Sequence, residues 1–307
     1  MSSKKNYRNP WLWIPSLYYA EGIPYVVVMS VSVIMYKRLE ISNTEIALYT
    51  SWLYLPWVIK PLWSPFVDLI GKKRNWIILM QVLIGAGLAG VALTIPTSNF
   101  FQYSLAFLWL LAFSSATHDI AADGFYMLGL SQGEQSFFVG IRSTFYRLSM
   151  ITGQGVLVIL AGYLEKSKGN ISLAWSITFL IIAGLFGLFF IYHKFILPYP
   201  TNDLPAKKEE SNSILKEFTK TFVAFFKKKN IGIILGFILL YRLAESQLVK
   251  IASPFLLDSK NVGGIGLSTS EVGLVYGTIG IICLTLGGII GGIVISKKGL
   301  KFWLWPM

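Results

Sequence analysis

Apolar residues fall in eight long blocks, roughly 11–36, 45–66, 76–96, 101–127, 138–163, 172–194, 231–257 and 271–295, and a ninth begins at Phe302. Short polar or basic stretches separate them. Blocks of about 20 apolar residues are long enough to cross a bilayer. Each is expected to be helical, because an open strand edge leaves its backbone groups unsatisfied in lipid. The pattern predicts an all-α membrane protein. One longer interruption runs from Pro198 to Lys229. Its early part, with Pro198, Pro200, Pro205 and Ser211-Asn212-Ser213, reads as flexible. Its later part, Ile214 to Phe226, has apolar residues at helical spacing with lysines between them, the pattern of a helix lying on the inner membrane surface.

The blocks also repeat. Ser42-Asn43-Thr44-Glu45-Ile46-Ala47-Leu48 opens the second, and Ser268-Thr269-Ser270-Glu271-Val272-Gly273-Leu274 opens the eighth, 226 positions later. Each is followed by an apolar run and a short basic loop with a glycine, Asp68-Leu69-Ile70-Gly71-Lys72-Lys73 and Ser296-Lys297-Lys298-Gly299-Leu300-Lys301. Two similar multi-helix halves suggest a secondary transporter with its site between them. The expected plan is a six-helix half over 1–195, a cytoplasmic linker over 196–230 with an amphipathic segment, and 231–307 as the first two to three helices of a second half. On this plan the chain is a C-terminally truncated piece, and a product that ended at Met307 in the cell would be defective.

Composition and charge agree with the pattern. Of 307 residues, 54% are hydrophobic and 14% charged, against about 25% charged in soluble domains; mean hydropathy is +0.60. The net charge of +12 does not point to nucleic acid, because the basic residues sit in short loops, as the positive-inside rule requires. Lys4, Lys5, Arg8, Lys72, Lys73, Arg74, Lys194, the lysines between Lys207 and Lys229, Lys297, Lys298 and Lys301 share one side. They outnumber Lys37, Arg38, Lys166, Lys168 and Lys260 on the other. The N-terminus is therefore expected in the cytoplasm. Cys283 is the single cysteine, which excludes an internal disulfide and a cysteine zinc cluster. The first block is too long for a signal peptide core and lacks a cleavage site. Trp11, Trp13, Trp76, Trp175 and Trp303 lie at block ends, where aromatic belts form.

Ionisable side chains within membrane spans are costly and mark functional sites by default. Asp119 and Asp123 are four apart and share one helix face. Two carboxylates so close repel, so one is expected to hold its proton, the property a coupling site needs. The alternative is a static salt bridge to Arg142 or Arg147 in the next span. Glu21 sits mid-span beside Gly22 and Pro24, residues that free backbone groups at a cavity; Glu245 is its approximate counterpart in the second half. The competing reading of Glu21 is an acid near the interface, bonded to Tyr18 or to backbone. Arg242 and Glu245 are three apart and can pair, and a surplus cation there suits an anionic solute. Lys250 either joins that cavity or snorkels to the outer surface. His118 points about 100° away from Asp119, which disfavours a metal pair and leaves a relay or packing role; His193 is placed at the interface. Trp52, Tyr54, Trp57 and Trp63 either line a cavity and stack on sugar rings or face lipid and neighbouring helices. Tyr18, Trp57, His118, Tyr146 and Lys250 form the candidate cavity lining. Gly287-Gly288-Ile289-Ile290-Gly291-Gly292 lacks the Lys-Ser/Thr ending of a phosphate loop. No nucleophile–base pair, metal set or cofactor signature supports an enzyme.

The loop after the second block, Ser64-Pro65-Phe66-Val67-Asp68-Leu69-Ile70-Gly71-Lys72-Lys73-Arg74, resembles the signature of the major facilitator superfamily, roughly Gly-x-x-x-Asp-x-x-Gly-Arg-Lys, with Ser64 at the leading glycine. The resemblance implies that Asp68, Gly71, Lys72, Lys73 and Arg74 form a cytoplasmic gate, in which the acid meets a helix N-terminus and the basic residues pair across the bundle. The second copy carries Ser296 in place of the acid. The antiporter signature of that family needs a Gly-Pro pair, and Gly153-Gln154-Gly155 has no proline. Three further stretches resemble the muropeptide permease and acetyl-CoA transporter branch: Glu21-Gly22-Ile23-Pro24, Lys60 to Asp68, and Ser114-Ser115-Ala116-Thr117-His118-Asp119-Ile120-Ala121-Ala122-Asp123-Gly124. Tyr146-Arg147-Leu148 and Tyr241-Arg242-Leu243 fit the same branch. This resemblance implies a monomeric transporter of a bacterial inner membrane. It would import anhydro-muropeptides or related anionic sugar-peptides with protons by alternating access, through Glu21, Asp119, Asp123, Arg147, Arg242 and Glu245. A carrier of acetyl-CoA or another anionic conjugate is the alternative.

Overall fold

The computed structural model describes residues 8–204, 216, 219, 220 and 222–298, without the side chains of 238, 242, 244, 289 and 291–298. The eight apolar blocks become α1 (Pro10–Arg38), α2 (43–69), α3 (Lys73–Thr94), α4 (Phe100–Gly129), α5 (Gln132–Lys168), α6 (Ile171–Ile196), α7 (Ile231–Leu257) and α8 (269–298). Seven of these are long and apolar enough to cross a membrane as continuous helices. The exception is α2, expected as one span over 45–66. It is broken into Asn43–Trp52, Leu55–Ile59, Lys60–Leu62 and Ser64–Leu69. Pro56, Pro61 and Pro65 each lack an N–H and fix φ, so no uninterrupted ladder passes them. Irregular backbone at membrane depth is tolerated where it is buried in protein or lines a cavity. Trp57 and Lys60, on this stretch, do line one.

The repeated heptapeptide is a helix start used twice. The Ser42 hydroxyl accepts from the Glu45 N–H at 3.2 Å and Ser268 from the Glu271 N–H at 3.4 Å. Each serine hydroxyl also donates to its glutamate carboxylate at 2.7 Å, and at Ser268 the backbone N–H donates to Glu271 at 2.7 Å, which completes a capping box. Ser131 and Glu134 start α5 in the same way, six residues before its apolar block, because a capped polar turn leaves no hydrophobic signal.

α1 is the axis of the first six helices. Of its most apolar window 78% is buried, against 39–50% for α3 to α6, and α1 packs on α4, α5 and α6. In lipid the hydrophobic effect does not drive helices together, so close backbone approach decides packing. α5 and α8 cross where both run as π-helix, Ile151–Leu157 against Gly273–Ile279. A Cβ at Gly277 would lie 2.0 Å from the Gln154 carbonyl oxygen and 2.6 Å from the Gly155 nitrogen, so glycine alone permits the crossing. α7 touches the end of α1 and the start of α2.

Two expected belt tryptophans are not at a lipid boundary. Trp13 and Trp175 are fully buried; Trp13 meets Phe125 edge-on at 5.3 Å, and the Trp175 indole donates to Glu165 at 2.9 Å. Their positions at block ends face neighbouring helices. Trp11 is exposed. In the stretch expected to be amphipathic, residues 216, 219, 220 and 222–226 are helical. The remainder of that stretch, Lys4, Lys5, Lys301, Trp303 and the ninth block lie outside the described residues.

Candidate functional site

Three carboxylates converge inside the helical bundle. Glu21 comes from α1, roughly 16 Å along the axis from Pro10, and Asp119 and Asp123 from one face of α4. Their oxygens lie within 4.8 Å of one another. Lys60 of α2 binds Asp119. Arg142 of α5 donates to Asp123 at 2.9 Å and to the Tyr18 hydroxyl at 3.0 Å, while Tyr18 donates to the same Asp123 oxygen at 3.0 Å. The Arg142 guanidinium also lies over the Tyr18 and Tyr126 rings at 5.0 and 5.1 Å. Glu21 is 7% exposed, and its Oε2 has no hydrogen-bond partner among the described residues. Three acids thus meet two cations, at a depth where an uncompensated charge costs several kcal/mol.

A cavity of about 240 Å³ opens beside this cluster. Tyr25, Tyr54, Trp57 and Tyr146 form its aromatic walls, and Lys60, Glu21 and Asp119 its polar one. Tyr25 and Trp57 stand edge to face at 5.2 Å. Gly22 brings α1 onto α5 here: a Cβ would meet the Ser149 hydroxyl at 1.9 Å and the Tyr146 carbonyl at 3.1 Å. Of the aromatic residues in α2, Trp52 is exposed, Trp63 stacks at a tilt on Phe113, and Trp57 and Tyr54 reach the cavity.

Behind the cluster runs a buried polar chain. The Gln81 amide of α3 sits 3.1 Å from His118 Nε2 of α4 and 2.8 Å from His193 Nδ1 of α6, and His193 Nε2 is 3.0 Å from the Ser16 hydroxyl of α1. Both histidines and Gln81 are fully buried. The Gln81 carbonyl oxygen is also 3.1 Å from His193 Nδ1, so the amide meets that ring through its nitrogen or its oxygen according to the tautomer. His193 is therefore not at the interface as its sequence position near Lys194 suggests. Gln81, which links four helices, carries no sequence signal beyond being polar within an apolar block.

At one end of the bundle Gly71 takes φ +105°, open to glycine, and turns the chain into α3. Asp68 pairs with Lys73. The acid that meets the α3 N-terminus is Asp203, which accepts from the Lys73 and Arg74 N–H groups at 2.7 and 3.1 Å, where a negative charge is favoured. Arg74 reaches the Lys194 and Leu197 carbonyls and lies 4.0 Å from the Tyr199 ring centroid. Lys72 is exposed at the N-cap of α3.

At the other end, contacts tie the first six helices to α7 and α8. Lys37 meets Asp258 at 2.5 Å, and Asn43 donates to the same carboxylate at 3.0 Å. Arg38 meets Glu165 at 3.0 Å, and the Thr269 hydroxyl donates to Glu165 at 2.7 Å. Asp258, just beyond α7, is held below the usual carboxylate range by its hydrogen bonds from Lys37 and Asn43. Other sequence candidates stand apart from the cluster. Arg147 is exposed and donates to Thr285 of α8 at 3.1 Å. The Lys250 ammonium lies 3.3 Å from the Thr50 carbonyl and hydroxyl oxygens. Glu245 is on an exposed face of α7, and the Arg242 side chain lies outside the described residues.

Comparison with known proteins gives a match to the Major Facilitator Superfamily model over residues 18–307. Among similar proteins, one named AmpG 4 from Rickettsia felis is 30% identical over 310 residues, covering 96% of this chain and 69% of the relative. The anhydromuropeptide permease of Escherichia coli (strain K12) is 26% identical over 249 residues, covering 80% of this chain and 47% of the permease. A protein named AmpG 3 from Rickettsia typhi is 25% identical over 277 residues, covering 84% and 61%.

Proposed function

The chain belongs to the major facilitator superfamily, and from that premise we propose that it is a proton-driven importer of anhydro-muropeptides or related sugar-peptides. As a multi-pass membrane transporter it alternates access to a central cavity. We place it in a bacterial inner membrane as a monomer, with the N-terminus in the cytoplasm on the strength of its lysine and arginine distribution. The observation that carries the proton reading is the meeting of Glu21, Asp119 and Asp123, with Lys60 and Arg142 the cations that pair with them among the described residues. A partly buried site that sets three acids against two cations among the described residues can take up one proton. The sugar-peptide reading rests on the similarity to the permease of Escherichia coli and on the aromatic walls of the cavity.

In this orientation the Lys37–Asp258 and Glu165–Thr269 contacts lie at the outer end. On this reading the two contacts hold the outer end of the described helices together. Uptake of labelled anhydro-disaccharide peptide across vesicles with an imposed pH difference tests the reading. One pH unit is worth about 1.4 kcal/mol, or about tenfold accumulation per proton. Wild type is expected to accumulate solute accordingly, and Asp123→Asn only to equalise it. Undiminished accumulation by Asp123→Asn would remove this acid from the coupling step, and no uptake by a folded, inserted wild type would remove the substrate.

A further inference from the structure

We propose that Lys60 reads the negative charge of the solute, and that a solute carboxylate drawing Lys60 away from Asp119 is what opens Asp119 to the coupling proton. This rests on the transport reading above and assigns the partner that sets solute specificity.

The two cations of the cluster are built differently. Arg142 is held by Asp123, by the Tyr18 hydroxyl and by two aromatic faces. Lys60 has Asp119 as its one hydrogen-bond partner among the described residues. An ammonium on a flexible stem is a mobile point charge, whereas a forked guanidinium is fixed in place by several contacts at once. Exposure gives the same order: the Lys60 side chain is 35% exposed and that of Asp119 16%. Both side chains line the cavity, and the cation is the more exposed of the two. Lys60 also sits where α2 is broken, between Ile59 and Pro61, so its backbone can shift without breaking a continuous helical ladder.

The cavity beside it suits a carboxylate on a ring-sized group. Its 240 Å³ falls below the roughly 300–1,000 Å³ of sites for drug-sized ligands, room for one sugar ring of the solute against Trp57 and Tyr25. Once an anion holds Lys60, Asp119 faces Glu21 within 4.8 Å with no cation between them. Like charges at that distance disfavour double ionisation, and a proton from the aqueous cavity restores the original balance. The other groups around Asp119 do not supply that charge. Asp123 on α4 is occupied by Arg142 of α5, His118 turns to Gln81, and Lys73 of α3 is bound to Asp68. Tyr25, Tyr54 and Tyr146 complete the wall as neutral hydroxyls.

Calorimetry on the purified chain in lipid nanodiscs, with N-acetylmuramoyl-alanine, whose free carboxylate is on the amino acid as in a sugar-peptide, and its methyl ester as probes, tests the assignment. The pair differs by one negative charge. Wild type is expected to prefer the acid by about tenfold, the scale of one charged hydrogen bond. Lys60→Arg should keep that preference and Lys60→Met should lose it. Asp119→Asn releases Lys60 and should bind the acid more tightly, a gain that damaged folding does not produce. Titrations in buffers of different ionisation enthalpy should show about one proton taken up per acid bound by wild type and none by Asp119→Asn. An acid preference that persists in Lys60→Met, or no gain in Asp119→Asn, overturns the role of Lys60. Binding of an anhydro-disaccharide peptide without either single-ring probe overturns the ring-sized occupant. Binding of none of the three by wild type overturns the transport reading instead.

Discussion

Replacing Gln81 by leucine should cost stability out of proportion to the volume changed. The two side chains are similar in size, so the packing term is small. The polar term is not: the amide serves His118 Nε2 at 3.1 Å and His193 Nδ1 at 2.8 Å, and all three residues are fully buried. His118 Nδ1 already has no partner among the described residues, so the substitution leaves its whole ring unsatisfied. An orphaned buried acceptor costs about 1–3 kcal/mol in soluble proteins, which sets an upper figure near 6 kcal/mol for the pair. Interhelical hydrogen bonds measured within membranes average about 0.6 and reach about 1.7 kcal/mol, because the unfolded chain in lipid finds other partners. The membrane scale governs here, and about 1–3 kcal/mol is expected. Thermal unfolding in mild detergent checks it. Gln81→Asn, which keeps an amide on a shorter stem, should fall between wild type and Gln81→Leu. A leucine variant as stable as wild type would refute the reading of this chain as a satisfied network joining α1, α3, α4 and α6.

Two further substitutions test how the first six helices meet α7 and α8. Gly277→Ala must push α8 about 1 Å from α5 to bring its Cβ from 2.0 Å to a tolerable contact with Gln154, and an overpacking cost of about 1–3 kcal/mol is expected in thermal unfolding; an unchanged midpoint would show that the crossing is looser than described. Asp258→Asn should raise hydrogen exchange in the loop 258–268 about twofold at neutral pH, since a partly exposed pair is worth about 0.2–1 kcal/mol. The Asp258 carboxyl is lowered in the folded protein, so the pair contributes fully above the unfolded value near about 4 and is lost as pH falls through the lower folded one. Wild type and variant should therefore converge in strong acid, and a difference that persists there would count against the carboxylate as its source.

The helices were legible because lipid enforces them: every apolar block had to satisfy its own backbone, and length did the rest. The break in α2 was legible in principle from Pro56, Pro61 and Pro65, but three prolines in an apolar run also fit a kinked continuous span. Asp119 and Asp123 could be placed on one face from their spacing alone, and Glu21 was singled out as an acid in an apolar run. The choice between Arg142 and Arg147 as partner depends on the rotation of α5 against α4. A five-residue difference turns a helix by about 500°, or 140° from the starting face, and nothing in the sequence says which face meets α4. Asp203 was illegible for another reason. It caps α3 from 130 residues away in the chain, and a side-chain-to-backbone contact leaves no partner residue type to look for.

The strengths of the contacts at the two ends bear on how such a molecule moves. At the gate-motif end Arg74, Asp68 and Asp203 bind within the first six helices and the chain that follows them. At the other end Lys37 and Asn43 reach Asp258, and Glu165, itself paired with Arg38 of α1, accepts from Thr269, so these contacts cross to α7 and α8. The Lys37–Asp258 pair is partly exposed and worth about 0–1 kcal/mol, and the Thr269–Glu165 hydrogen bond is buried and worth about 0.6–1.7 kcal/mol on the membrane scale, so breaking them together costs on the order of 1–3 kcal/mol. A single proton moving down one pH unit releases about 1.4 kcal/mol. The two quantities are of the same order, as a gate requires. A lock of buried ion pairs costing 3–5 kcal/mol each would not open on that energy, and a surface without bridges would not close. The crossing at Gly277, with the close approaches of Gly273 to Ile159 and of Gly162 to Ser270 beside it, gives way to neither, because there backbone meets backbone. We therefore expect rocking about the α5–α8 crossing, with the Lys37 and Glu165 contacts parting while Gly277 and Gln154 stay in place.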